Sequence, residues 1–242
     1  MNLLIDKLKV CRSLVILTGA GISAESGVPT FRGADGLWKN YRAEDLATPE
    51  AFARDPKLVW EWYEWRREII RQAKPNPGHL AIAQFEEIFP EFLLVTQNVD
   101  GLHRLAGSKK IVELHGNIFR NKCSKDGRIY QETPKTDSIP PRCECGAYLR
   151  PDVVWFGESL SSEVLNEAFV KTQSCEVFLS IGTSAIVHPA ASLPLLAKER
   201  GALVGEINLE PTPITPLVDI SIRGKSAEIL PKILNHLSFN LC

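Results

Sequence analysis

The sequence has no surplus of charge: 28 Lys and Arg stand against 29 Asp and Glu, a net charge of -1. A field of one sign that would draw in nucleic acid or an anionic membrane is therefore not expected. Long apolar runs are also missing, and none approaches the roughly 18 residues of a membrane span. The first 17 residues are mildly apolar but broken by Asp6, Lys7, Lys9 and Arg12. They lack the uninterrupted core and cleavage site of a signal peptide, so a reducing cytoplasmic location is expected. Cysteine is scarce, with six in 242 residues, too few for a disulfide scaffold. No internal repeat is visible. The 44% hydrophobic and 24% charged composition excludes a disordered chain and fits one large domain, or one with a smaller insert.

What is present has the rhythm of an α/β doubly wound protein. Short apolar runs read as buried parallel strands at Ser13–Thr18, Glu91–Thr96, Glu176–Ile181 and Leu203–Ile207, with a shorter one at Lys110–Leu114. Helices are expected at Pro77–Phe89, Ser162–Thr172, Pro189–Arg200 (capped by Gly201) and Ala227–Leu237. Two stretches break the rhythm. One contains the aromatic helix Lys57–Ala73, with Trp60, Trp62, Tyr63 and Trp65. The other carries Cys123, Cys143 and Cys145 within 23 positions, among turn residues. The expected division is a large Rossmann-type domain of residues 1–31, 76–116 and 151–242. A small inserted domain would hold 32–75, a helical module, and 117–150, a cysteine ribbon.

The chemistry-bearing residues cluster at predicted strand ends. Gly19-Ala20-Gly21-Ile22-Ser23-Ala24 follows the first strand and fits G-x-G-x-x-G/A, where glycines admit a pyrophosphate and N–H groups at a helix start bind its charge. The same turn also serves as a plain strand-to-helix connection. No acidic residue ends a second strand roughly 20 residues on, as a dehydrogenase needs for its ribose. A Gly- and Pro-rich loop with Phe31 and Arg32 comes next, suited to closing over a nucleotide. Thr96-Gln97-Asn98-Val99-Asp100, His115-Gly116, Gly182-Thr183-Ser184 and Asn208-Leu209-Glu210 each follow a predicted strand. In open α/β sheets ligands bind at that edge. A histidine there has the right range for a base near neutral pH, though taken alone His115, like His79, His103, His188 and His236, reads more readily as a surface or hydrogen-bonded structural residue.

Together these motifs resemble the sirtuin family of NAD-dependent protein deacylases. They run from Gly19 to Glu210 in the family's order and include Pro151–Glu158 (PDVVWFGE). The resemblance implies a Rossmann-type domain, a small zinc-binding domain, NAD consumed in the cleft between them, and an acyl-lysine peptide as partner. It implies His115 as general base. Asn98 and Asp100 would hold the nicotinamide end and the ribose, and Arg32 and Phe31 would orient the cofactor. Gly19, Ala20, Gly21, Ala24, Gln97, Gly182, Thr183, Ser184, Asn208, Leu209 and Glu210 would line the cofactor site. Val153, Trp155, Phe156, Gly157 and Glu158 resemble the peptide-binding strand. Tyr63 and Arg66, spaced i, i+3 on one helix face, resemble the subclass that removes succinyl and malonyl groups, with Ala43 widening the pocket. Arg66 and its neighbour Arg67 read otherwise as solvated helix charges.

The family's small domain carries C-x2-C twice. Here Asp126 stands where the partner of Cys123 is expected, and the second pair is the shorter Cys143-Glu144-Cys145. Zinc on Cys123, Cys143 and Cys145 needs a fourth ligand: Asp126, Asp137 or a group from outside the chain. The alternative is a zinc-free packed ribbon. Other functions also stay open at this point: a dehydrogenase, a protein ADP-ribosyltransferase, or a non-catalytic NAD-binding sensor.

Overall fold

In the computed structural model, residues 1–30, 42–134, 136 and 138–238 are described. Among the described residues, nine strands form two sheets. Strands β1 (Ser13–Thr18), β2 (Glu91–Thr96), β3 (Ile111–Glu113), β7 (Val177–Ile181), β8 (Leu203–Asn208) and β9 (Ile220–Arg223) make the larger, in the order β3-β2-β1-β7-β8-β9. Every pairing in it is parallel. That order is the doubly wound one, and its direction of progression reverses between β1 and β7. The expected strands fall within a residue or two of these bounds. Strand β9 was not expected: its residues are only partly buried and it carries no long apolar run.

The alternation of a strand explains the two cores. On β1, Leu14 and Ile16 face one side, where they meet Ile82 and Phe85 of α6 (Pro77–Ile88) and Leu230 and Ile233 of α10 (Ser226–Ser238). Val15 and Leu17 face the other, against Ala168 of α8 (Ser162–Ser174) and Ala197 of α9 (Leu193–Glu199). Val177, Leu179 and Ile181 on β7 repeat the first face and Phe178 the second. A strand buried on both faces reads as an unbroken apolar run, which is why β1, β2 and β7 were legible. The expected helix at Pro189–Arg200 is shorter: a 3-10 turn, Ala190–Ser192, leads into α9.

The second sheet is antiparallel: β5 (Ile129–Tyr130), β4 (Gly116–Cys123) and β6 (Leu149–Val153), in that order. Helices α4 (Pro49–Arg54) and α5 (Pro56–Gln72) pack on it through Phe52, Trp62, Tyr63, Ile118, Val153 and Trp155. Helix α5 starts one residue before its expected bound because Asp55 caps it, accepting from the Leu58 N–H at 3.0 Å, and Pro56 suits the first turn. Arg66 and Arg67 are 7% and 2% exposed, so neither is a solvated helix charge. Arg67 anchors α5 to β4: its Nε donates to the Ile118 carbonyl and its Nη2 to Asn121 Oδ1, both at 2.6 Å. Its guanidinium lies 5.0 Å over the Trp60 ring. Among the described residues, no helix is long and apolar enough to cross a membrane.

Candidate active site

A cleft of about 810 Å³ opens at the carboxyl edge of the large sheet, where the strand order reverses. From β1 it takes Gly19, Ala20 and Gly21; from β7, Gly182, Thr183 and Ser184; from β8, Asn208. Gln97, Asn98 and His115 follow β2 and β3 and form its floor. The small sheet and α5 supply the opposite wall through Tyr63, Val153, Trp155, Phe156, Gly157 and Glu158. Most of the sequence-predicted residues therefore converge in one place. Ala24, Asp100, Arg66, Leu209 and Glu210 are not among its lining. Phe31 and Arg32 lie outside the described residues, as do Asp137 and the side chain of Ala43.

The glycine turn has a different physical basis from the expected one. The Gly19 N–H donates to the Ile181 carbonyl at 3.1 Å, and the Gly21 N–H to the Gly182 carbonyl at 2.8 Å. Those two N–H groups tie β1 to β7 and do not face a phosphate. The helix after them, α2 (Gly21–Ala24), is a single turn. A Cβ on Gly21 would sit 2.7 Å from the Gly182 carbonyl oxygen, and one on Gly19 2.7 Å from Thr183 Cβ. The glycines are needed because two backbone loops touch there.

His115 is held by one bond with a clear consequence. Its Nδ1 lies 2.9 Å from the Gln97 carbonyl, which only accepts. Nδ1 must therefore carry the proton, and Nε2 keeps the basic lone pair. Burial pushes the imidazole below its ordinary 6.5, with the Gln97 bond opposing, so the ring is neutral at pH 7. The next residue, Gly116, has φ +82°, and a Cβ there would fall 2.1 Å from the Asp152 carbonyl oxygen on β6. Only glycine lets the two strands meet beside the histidine.

Asn98 is fixed by three bonds. Its N–H donates to Thr96 Oγ1 at 3.1 Å, and its Nδ2 donates to the Gly19 carbonyl at 3.1 Å and Ser23 Oγ at 3.2 Å. Both amide hydrogens are thereby engaged, and Oδ1 serves as the acceptor. Asp100 is buried beside the cleft: it accepts from the Leu102 N–H at 2.9 Å and bonds Ser23. Burial raises its carboxyl above the ordinary range, and those bonds and the nearby Arg66 charge oppose that. Gln97 Nε2 donates to Thr183 Oγ1 at 2.9 Å, and Asn208 Nδ2 to the Thr183 carbonyl at 3.1 Å.

The opposite wall is a stacked chain of side chains. Glu158 takes both Nη atoms of Arg150, whose guanidinium lies 3.3 Å over the Trp155 ring. Trp155 Nε1 donates to the Tyr63 hydroxyl at 2.8 Å, which leaves the phenolic proton to be donated elsewhere. Tyr63 faces the cleft. Arg66, one turn on, lines a small neighbouring cavity with Val28 and Pro29, its guanidinium 5.4 Å over Trp62. The expected peptide-binding strand is shorter than its motif: β6 ends at Val153, and the following residues turn. The Val154 N–H still reaches the His115 carbonyl at 2.9 Å, and the Phe156 N–H the Ala47 carbonyl at 2.9 Å. Leu160, Val187, His188 and Pro189 also line the cleft. Neither periodicity nor spacing marks them.

The second cluster lies away from the cleft. Cys123, Asp126, Cys143 and Cys145 bring their ligand atoms within 4.8 Å of one another. Three thiols and a carboxylate converging from two turns are a donor set suited to Zn²⁺, and the residues fit that ion. The cleft, in turn, has a volume within the roughly 300–1,000 Å³ usual for ligand and cofactor sites. Its polar groups are gathered at the sheet edge.

The fold and the cleft define an α/β protein of the dinucleotide-binding kind with a separate cysteine-bearing module. The Sir2 family profile matches residues 19–189. The chain is 55% identical over 227 residues to the NAD-dependent protein deacylase of Aquifex aeolicus, covering 93% of this chain and 95% of that one. It is 53% identical over 237 residues to NAD-dependent protein deacylase 2 of Pyrobaculum aerophilum, covering 98% and 95%. A crystal structure of a Sir2 homolog–NAD complex superposes with a TM-score of 0.94 at 45% identity, covering 100% of this chain and 95% of that chain. A Sir2–p53 peptide–NAD⁺ structure superposes at 0.87 with 31% identity, covering 99% of each. This chain belongs to the Sir2 family.

Proposed function

We propose that this protein removes acyl groups from protein lysine at the expense of NAD, releasing nicotinamide and O-acyl-ADP-ribose. The relatives named above as NAD-dependent protein deacylases support the reading. The observation that carries it is the protonation geometry of His115: a neutral ring in the cleft, with Nδ1 as donor and Nε2 as base. Gln97, Thr183, Ser184 and Asn208 hold the cofactor, with Asn98 Oδ1 at its nicotinamide end. Asp100 acts from behind, through Ser23 and Asn98. The acyl oxygen displaces nicotinamide from the ribose carbon. His115 Nε2 takes the proton of a ribose hydroxyl, and the sugar oxygen attacks the acyl carbon. Water then releases free lysine and the acylated sugar.

The peptide lies along the edge at Val153 and Val154, where an extended chain gains main-chain bonds that do not depend on its sequence. Arg32 and Phe31 order the cofactor, and Ala43 is assigned to the acyl-binding residues by the family's pattern. Acetyl groups and the acidic succinyl and malonyl groups are the substrates. Tyr63 offers its phenolic proton, and Arg66 a charged fork for a carboxylate. The Trp155 bond to Tyr63 and the buried charge of Arg66 support this. The protein acts in a reducing cytoplasm, where its clustered thiols remain ligands.

The test is a set of acetyl-, malonyl- and succinyl-lysine peptides incubated with NAD and read by mass spectrometry. Peptide-dependent nicotinamide release with acetyl-, succinyl- and malonyl-lysine peptides is expected. ADP-ribose retained on protein, or reduced cofactor without peptide, overturns the reading.

A further inference from the structure

The two turns that carry the cysteine cluster are built alike. In the first, the Cys123 N–H donates to the Arg128 carbonyl at 2.9 Å, and the Gly127 N–H to the Cys123 carbonyl at 3.1 Å. In the second, the Cys143 N–H donates to the Ala147 carbonyl and the Gly146 N–H to the Cys143 carbonyl, both at 2.8 Å. Each turn ends on a glycine of positive φ, +74° at Gly127 and +85° at Gly146. Each begins with a buried cysteine whose sulfur accepts backbone N–H groups. Lys125 and Asp126 donate to Cys123 Sγ at 3.4 and 3.5 Å, and Cys145 donates to Cys143. The second turn is the first with one residue removed. In that correspondence Asp126 occupies the place of Cys145. Both are exposed, both precede the glycine, and both face the buried cysteine of the other turn within the 4.8 Å cluster.

We propose that Asp126 is a metal ligand and completes a site of three thiolates and one carboxylate. The site would hold one tetrahedral divalent ion, Zn²⁺ by its thiolate majority. A carboxylate carries the same formal charge as the thiolate it replaces, so the surroundings need no new counter-charge. It is the harder donor, and zinc should be held less tightly than by four thiolates. The surroundings orient it as a ligand. Asp126 Oδ1 accepts from the Arg128 N–H at 2.9 Å, which aims the carboxylate. The Arg128 guanidinium pairs with Glu144 on the other turn and ties the two halves of the site together. The Asp126 N–H donates to Cys123 Sγ at 3.5 Å, which holds the residue against the sulfur with which it would share an ion.

The test uses the full chain, reduced and stripped with a chelator, then titrated with Co²⁺ as a coloured stand-in for Zn²⁺. One equivalent should bind with tetrahedral d–d bands and the charge-transfer intensity of three thiolates. Asp126→Cys should raise that intensity by about one-third, the ratio of four thiolates to three, and bind more tightly. Asp126→Ala should keep three-thiolate intensity, lose roughly tenfold or more in affinity, and let added azide shift its d–d bands. Three results overturn the proposal: no Co²⁺ bound by the unaltered chain, Asp126→Ala matching it in affinity and spectrum, or azide shifting the unaltered chain's bands. If Asp126→Ala does not fold, Asp126→Cys decides, and unchanged thiolate intensity in it overturns the proposal. None of these readouts needs catalysis, so a failure here is separable from a failure of the deacylase reading.

Discussion

Replacing Arg66 with methionine separates recognition of an acidic acyl group from everything else Arg66 does. Methionine keeps an unbranched stem of similar bulk and removes the charge. A succinyl carboxylate paired with a buried arginine gains a charge-assisted bond of about 1.5–3 kcal/mol. Removing the arginine also leaves that carboxylate buried and unpaired, and breaking such a pair costs about 3–5 kcal/mol. At about 1.4 kcal/mol per tenfold, kcat/KM for desuccinylation should fall by roughly 10² or more. An acetyl group has no carboxylate to strand. Its loss comes only from the surroundings Arg66 keeps in place, among them the Trp62 ring, a contact worth about 0.5–2 kcal/mol, and the Asp100 charge. The ratio of desuccinylation to deacetylation should therefore drop by roughly tenfold or more. Protein stability offers a control. Burial pulls the Arg66 guanidinium below its ordinary range, so the charge is costly to keep inside. Methionine there also strands the Asp100 charge opposite it, so the melting temperature should stay level or fall. Arg66→Lys, which keeps the charge and loses the fork, should fall between the two. Equal losses on succinyl and acetyl peptides at an unchanged melting temperature refute the reasoning.

Formation of the deacylated peptide should depend on pH through His115, which acts after nicotinamide has left. Burial lowers its pKa, so the basic neutral form persists below 6.5, and kcat/KM should fall only as pH drops through that lowered value. A midpoint at or above 6.5 in the pH profile counts against a buried base. Gly21→Ala should cost about 1–3 kcal/mol in denaturant unfolding and weaken NAD binding, because its Cβ meets the Gly182 backbone at 2.7 Å. Unchanged stability and NAD affinity would contradict the contact between the two loops.

The legible parts of the fold share one physical property. β1, β2 and β7 are apolar on both faces, and a run of that kind can be read without knowing its neighbours. β4 and β6 mix polar and apolar residues, and their pairing is interrupted between Asn117 and Asn121. Nothing in their local pattern announced a sheet. The cleft residues Leu160, Val187, His188 and Pro189 lie on connections whose direction is set by contacts far along the chain. Arg66 and Arg67 show the same limit: adjacent in sequence and alike in charge, they differ in partners that come from β4 and the cavity beside Val28.

The sequence by itself determined the strands buried on both faces, the motifs at their carboxyl ends and the family they resemble. Those signals are local, since each residue type is tied to its place by backbone geometry or by apolar burial. The tertiary structure decided the tautomer of His115, through a carbonyl 18 residues away, and the reason for Gly19 and Gly21, through a loop some 160 residues on. It also set Asp126 beside three thiols and tied the Asp100 carboxylate to the Leu102 N–H. Each of these depends on which segments meet, and composition and periodicity do not encode that. The balanced charge takes its meaning from the same source: the cations that matter are buried one at a time, and a net charge of -1 does not reveal where they are.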